Sequence, residues 1–160
     1  MKTALGASVL LSLWLAGCVT PDARIPAPAV EAEAPPRDPL GERVAHYAGL
    51  YDVPESLINR SIQRESGFNP TLRHGPYWGL MQIRLDTARS VGYRGPARGL
   101  LDADTNLKYG VAYLSNAYLV GGRNPDRALA LYSSGYFYEA KRKGLLDQLR
   151  TARSEEPLPE

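Results

Sequence analysis

Apolar residues recur along the chain at three- and four-residue intervals, the spacing that lines side chains up on one face of a helix. Val44, Tyr47, Ala48 and Tyr51 form a first stripe, and Leu57, Ile58, Ser61, Ile62 and Glu65 a second. Asp52 with Glu55 reads as a capping box that opens the second helix, and Gly67, followed by Phe68 and the turn-forming pair Asn69-Pro70, closes it. A loop rich in Gly, Pro and aromatic residues then runs from Gly67 to Ile83. A short helix is predicted from Asp86 to Val91, ending at Gly92. Leu107, Val111, Leu114 and Tyr118 mark a long helix, with Asp102 and Asp104 at its start and Gly121-Gly122 at its end. Asn124 as cap and Pro125 in the first turn begin another over "DRALALYSS", and a last helix is predicted over Tyr138 to Arg150. Only the few residues around Leu80 to Ile83 have strand character, and there is no internal repeat. The fold class is mainly α, with one domain over residues 40–150 and a disordered tail over 151–160.

The N-terminal segment has a different pattern. Met1-Lys2 is a short positive start, Ala4 to Ala16 is mostly apolar, and Leu15-Ala16-Gly17-Cys18 follows at once. The apolar stretch is too short to span a bilayer comfortably and has the layout of a secretory signal. The small-small-Cys ending resembles the bacterial lipoprotein box, which implies a signal peptide over residues 1–17, cleavage before Cys18 and acylation of that cysteine. An ordinary signal with an incidental cysteine is the alternative. Cys18 is the single cysteine in the sequence, and a lone exported thiol would otherwise be a liability. Residues 18–39, including "PAPAVEAEAPPRDP", have few large apolar groups and are interrupted by proline, so they read as a semi-extended tether. The expected location is the periplasm, anchored by lipid. Val19 after Cys18, rather than Asp, points to the outer membrane by family precedent.

Charge excludes more than it suggests. A formal net charge of +2 over 160 residues, with no basic stripe interleaved with aromatics, argues against a nucleic-acid partner. Lys141-Arg142-Lys143 reads as a solvated helix face. Ten tyrosines against two phenylalanines and two tryptophans suit a ligand with apolar ring faces and polar edges, such as a sugar, or simply half-buried packing. His46 and His74 have no metal-type partners. Asp102-x-Asp104-x-Asn106 is not a calcium loop, because Leu107 holds the required Gly position and Tyr113 that of the bidentate acid. No metal or cofactor is expected.

Three segments carry the chemistry: "RESGFNP" at 64–70, "GLMQI" at 79–83 and "ALALYSSG" at 128–135. Together they resemble the lytic transglycosylase domain of the soluble (SLT, family 1) type, whose pattern is E-S-G-F-N-P, then G-L-M-Q, then A-x-x-Y-N-x-G. "LLDADTNLKYGVAYL" is similar to the family's segment between the second and third motifs. The resemblance implies a lysozyme-like fold and peptidoglycan glycan strands as substrate. It implies Glu65 as the catalytic residue, Gln82 and the Met81 backbone as cleft lining, and Tyr132 as a hydrogen-bonding group near Glu65. Two positions depart from the pattern. Ser133 stands where the family usually has Asn, and "RHGPYWGLMQI", with His74, Tyr77 and Trp78, replaces the usual small-residue approach to the second motif.

The residues support this chemistry in their own right. Cleaving a glycosidic bond takes an acid that still holds its proton near neutral pH. Ile62 and Phe68 offer to desolvate Glu65, and the negative end of its helix disfavours the ionised form. The structural alternative is a glutamate paired with Arg64 or Arg73, which would hold it ionised. Asp86, Asp102 and Asp104 are the candidates for a second acid, and each reads better as a helix-start residue. The family works with one glutamate, which acts first as acid and then as base and leaves a 1,6-anhydro sugar. Met81 and Tyr132 are open to core packing, Ser66 to a support role at the helix end, and Tyr77 and Trp78 to sugar stacking or loop anchoring. A lysozyme-type hydrolase and a non-catalytic peptidoglycan-binding lipoprotein are the competing functions.

Overall fold

The structure, a computed structural model, describes residues 39–152. The signal peptide, Cys18, the tether up to residue 38 and the tail from residue 153 lie outside the described residues. The order is α1 (Pro39–Tyr51), α2 (Glu55–Ser66), β1 (Arg73–His74), β2 (Tyr77–Trp78), β3 (Ile83–Arg84), α3 (Leu85–Ser90), α4 (Ala103–Val120), α5 (Pro125–Ser134) and α6 (Phe137–Lys143), with 3-10 turns at Ala97–Leu101 and Leu146–Gln148. Among the described residues no helix is long and apolar enough to cross a membrane.

α4 is the axis of the domain. Leu107, Val111, Leu114, Ala117 and Val120 are buried along it, and so are Gly110, Ala112, Ser115 and Asn116, which together go nearly all round the helix. A helix apolar or small nearly all round has to be covered by neighbours, and α1 and α5 pack along it, with α3 and α6 at its margins. The stripes of α1 and α2 close the same core through Val44, Tyr47, Tyr51, Leu57, Ile58 and Ile62. A second, smaller cluster of Ile83, Ala88, Tyr93 and Leu100 lies beneath the hairpin strands, with Trp78, Leu85, Tyr109 and Tyr113 against it.

Several expectations need correction. The capping box does not form in the expected register: α2 starts at Glu55 behind Pro54, with no side-chain cap. Asp52 instead takes φ +54 beyond the end of α1 and accepts from Arg123 at 2.6 Å. The loop after α2 contains a three-stranded antiparallel sheet, with Arg73 opposite Trp78, His74 opposite Tyr77, and Tyr77 and Trp78 opposite Arg84 and Ile83. The last helix stops at Lys143 rather than Arg150. Gly144 adopts φ +66, a left-handed conformation that ends the helix at little cost to glycine. α1 also begins one residue early, at Pro39, the last residue assigned to the tether.

The segment after Gly144 is tied down by one buried amide. Asn116 donates to the Arg150 carbonyl at 2.9 Å and accepts from the Arg150 N–H at 2.8 Å, so the side chain copies a strand partner. Its Nδ2 also reaches the Tyr136 hydroxyl at 3.0 Å, and Ala152 N–H donates to the Val91 carbonyl at 2.7 Å.

A second buried amide positions the loop that carries "GLMQI". Asn106, in the first turns of α4, accepts from Met81 N–H at 2.8 Å and donates to the carbonyls of Trp78 at 2.8 Å and Leu100 at 2.7 Å. The loop comes so close that a Cβ at Gly79 would fall on the Asn106 amide and the Leu100 carbonyl, and φ there is +69. Asn106→Leu keeps the volume but strands three buried polar groups, and should lower stability by at least about 3 kcal/mol. Denaturant unfolding measures this; an unchanged midpoint would mean that the loop is held by other contacts.

Candidate active site

α2 ends where its inward stripe reaches the surface. Ser61 and Ile62 are wholly buried, and one turn later the Glu65 side chain is 22% exposed, at the rim of a cleft. Gly67 stops the helix there, its N–H bonded back to the Gln63 carbonyl. The cleft, about 380 Å³, has Glu65 on one wall with Tyr132, Ser133, Ser134 and Gly135 from the end of α5. Tyr77, Gln82, Ile83 and Arg84 from the hairpin form the opposite wall, and Thr87 of α3 and Tyr113 of α4 complete it. An adjoining cavity of about 500 Å³ shares Thr87, Tyr113 and Gly135 and continues along Tyr136 and Phe137, so the depression is elongated.

The predicted site residues separate into two groups. Glu65, Gln82, Tyr77 and Tyr132 line the cleft together. Met81 is fully buried and contributes its backbone, whose carbonyl accepts the Tyr132 hydroxyl at 2.9 Å. Gln82, at φ +44, turns its side-chain amide inward, donating from Nε2 to the carbonyls of Leu72 at 3.0 Å and Gly79 at 2.8 Å. Ser66 and Trp78 stand elsewhere. The Ser66 hydroxyl donates to the Ile62 carbonyl at 3.3 Å, within its own helix. Trp78 faces a separate shallow groove, with the Arg73 guanidinium 4.4 Å over its ring. Cys18 lies outside the described residues.

The environment of Glu65 is polar, contrary to the expectation of an apolar jacket. Phe68 is 39% exposed and is not part of the cleft wall. Of the two arginines available, Arg64 takes the carboxylate, with Nη2 at 2.5 Å and Nε at 3.0 Å from Oε1. Among the described residues no other carboxylate lines this cleft. Asp86 is held by Arg84 at 2.9 and 3.0 Å, and that hydrogen bond is the main reason its carboxyl ionises below the usual range. Asp102 caps α4, accepting from Thr105 N–H at 2.8 Å. No group of three or more His, Cys, Asp or Glu side chains that could hold a metal gathers among the described residues.

Two contributors were not singled out from the sequence as cleft residues. Tyr113 stacks edge-on against Tyr132, ring centroids 5.4 Å apart, and forms the floor between the two cavities. It lies off the apolar stripe of α4, so the surplus of tyrosines was the only signal available. Asn106 never touches the cleft but fixes its hairpin wall, and the only trace in the sequence is a polar residue among apolar neighbours.

A mainly helical, lysozyme-like domain with one carboxylate at a helix end, facing a short hairpin across an elongated groove, is the class that this geometry defines. The chain belongs to the family described as the transglycosylase SLT domain, whose model matches residues 43–151. It is 39% identical over 104 residues to proteins named membrane-bound lytic murein transglycosylase C from Klebsiella pneumoniae, Salmonella typhimurium and Cronobacter sakazakii. The aligned part is 54% of this chain but 29% of each relative, so the chain spans under a third of their length. No solved structure matches the chain.

Tyr132 gives this site a measurable pH signature. Burial first, and the Glu65 charge second, raise its hydroxyl ionisation well above the usual tyrosine value. The folded state therefore keeps a proton that the unfolded chain loses near pH ~10, so stability is full below that pH and falls as pH rises toward the folded value. Burial shifts Tyr113 and Tyr136 in the same direction. Tyr132→Phe should cost about 1–3 kcal/mol at neutral pH, where the Met81 carbonyl loses its donor, and the deficit should shrink above about pH 10. Melting temperatures of both proteins on either side of that pH check this; a deficit that does not change with pH would contradict it.

Proposed function

We propose that the chain is a peptidoglycan lytic transglycosylase that cleaves the β-1,4 bond between N-acetylmuramic acid and N-acetylglucosamine. Glu65 carries this reading: among the described residues it is the one carboxylate lining the first cavity, while Asp86 lines the adjoining one, in a chain of the SLT family. The names of the relatives, lytic murein transglycosylases, support peptidoglycan as the substrate. A two-acid glycosidase would need a second carboxylate within about 5–10 Å, but Asp86 is engaged by Arg84 and Asp102 by the start of α4.

One acid suffices if the sugar supplies its own nucleophile. Glu65 gives a proton to the glycosidic oxygen as the C1–O bond breaks, and the N-acetyl group stabilises the positive centre. The 6-hydroxyl of the same muramic acid then attacks C1, and the Glu65 carboxylate takes the proton from that hydroxyl. The bond is cut without water, the glutamate ends protonated, and the new chain end is a 1,6-anhydro ring. Tyr132, locked to the Met81 carbonyl, holds α5 against the hairpin wall, while Tyr77 and Tyr113 offer flat faces to the sugar rings. The enzyme is placed in the periplasm, anchored through acylated Cys18 in the outer membrane. "Membrane-bound" in the relatives' name and the Leu15-Ala16-Gly17-Cys18 sequence support this.

The full chain, purified in detergent, should release anhydromuropeptides from isolated murein, and Glu65→Gln should reduce the rate by at least about a thousandfold. Mass spectrometry of the products checks it. Reducing-end muramic acid as the sole product would identify a lysozyme-type hydrolase instead, and no release at all would leave a binding protein. For the anchor, Cys18→Ser should accumulate unprocessed precursor without acyl chain. Processing and membrane location equal to the wild type would rule out the lipoprotein assignment.

A further inference from the structure

Adjacent residues on a helix project roughly 100° apart and do not face each other. Arg64 nevertheless curls back onto Glu65, its direct sequence neighbour, with two nitrogens on one carboxylate oxygen. The guanidinium is held there from another helix. Its Nη2 also donates to the Ser133 hydroxyl at 2.9 Å and lies 3.5 Å from the Leu129 carbonyl on α5. Ser133 gives its own proton to the Leu129 carbonyl at 3.2 Å, which leaves its lone pairs for Arg64. The arginine is therefore a bracket between the carboxylate and the opposite helix end, and a solvated side chain of α2 would have no reason to sit there.

We propose that Arg64, fixed by Ser133, is a positioning residue that controls when Glu65 carries a proton. This rests on Glu65 being the acid and base of the reaction proposed above. With the guanidinium docked, Oε1 is engaged and the carboxylate is turned toward α5, so the empty cleft does not present it for the acid step. The acid step begins when the guanidinium gives up Oε1 and the carboxylate takes a proton from a hydronium ion or buffer acid entering the open cleft, which leaves neutral water or the buffer base behind. Between the two proton transfers, when the glutamate is again a carboxylate, the guanidinium returns and stabilises it. The other titratable or charged groups facing Glu65 are Tyr132 from α5, Tyr113 from α4, and Tyr77 and Arg84 from the hairpin, the last paired with Asp86. Tyr132 also feels the Arg64 charge, but burial keeps its hydroxyl protonated well above the usual tyrosine value and so outside the pH range of the test, and a changed pH profile reports on the Arg64–Glu65 contact.

The test is the rate of muropeptide release from isolated murein between pH 5 and pH 8 for the full chain and its variants. Arg64→Gln should be slower than the wild type at pH 5, and its rate relative to the wild type should rise about tenfold by pH 8 as the alkaline limb moves upward. Arg64→Lys, which keeps the charge and loses the fork, should keep the wild-type profile at a reduced rate. Ser133→Ala should move the profile in the same direction as Arg64→Gln by a smaller factor, and should add nothing in the Arg64→Gln background. It also carries the test should Arg64→Gln fail to fold. A rate lowered by one factor at every pH, or a rate unchanged throughout, overturns the proposal. An inactive wild type, or an active Glu65→Gln, removes the enzymatic reading and this inference with it, whereas an active wild type with an inactive Glu65→Gln leaves the pH profile to judge Arg64 alone.

Discussion

The loop from Trp78 to Met81 and the turn at Leu100 meet on the carboxamide of Asn106, and the shape of the cleft depends on that meeting. The amide fixes Met81, Trp78 and Leu100 to the start of α4, and the Met81 carbonyl in turn receives Tyr132 from α5. The hairpin strands are only two residues long and bury little area of their own. An isolated hairpin of that size is marginal in water. Its stability is therefore borrowed from α4, and the distance across the cleft is set by one side chain rather than by the sheet.

The same economy governs the carboxylate. α2 carries its apolar stripe as far as Ile62 and presents Glu65 at the first position where the helix leaves the core. Helix ends are poor places for an ionised acid, since the unpaired carbonyls there are partly negative. The Arg64 guanidinium supplies the opposing charge, at a site only partly open to solvent. A pair of that exposure contributes little to stability, so its meaning lies in orientation: it fixes which oxygen faces α5.

The helices were legible because burial imposes a period. α1, α2, α4 and α5 each present the stripe that the spacing of their apolar residues announces, and Asn124 caps α5 as its sequence suggests, accepting from Asp126 and Arg127 at 3.0 Å. The hairpin was illegible for the converse reason, since two-residue strands are too short to alternate. The start of α2 was misplaced because Pro54 occupies the cap position and Asp52 finds an arginine far along the chain. In the site, the motifs marked Glu65, Gln82 and Tyr132, and the three residues line one cavity. The partner of Glu65 could not be chosen from the sequence, which offered both an apolar jacket and two arginines. The choice is made by Ser133, 69 residues beyond Arg64, and long-range contacts of that kind leave no local signature.

The clamp of Asn116 on Arg150 gives the C-terminal segment a rank that its lack of regular structure hides. A side chain that is 2% exposed has one donor and its acceptor committed to a backbone arriving from outside the helical core. Cutting the chain before residue 149 would thus open the core rather than shorten an appendage: Asn116 would face water through the gap, and Tyr136 would lose the wall on which it rests. The turn around Arg150 behaves as a fastener, which makes this end of the domain, and not α2, the place where proteolysis would first dismantle the groove.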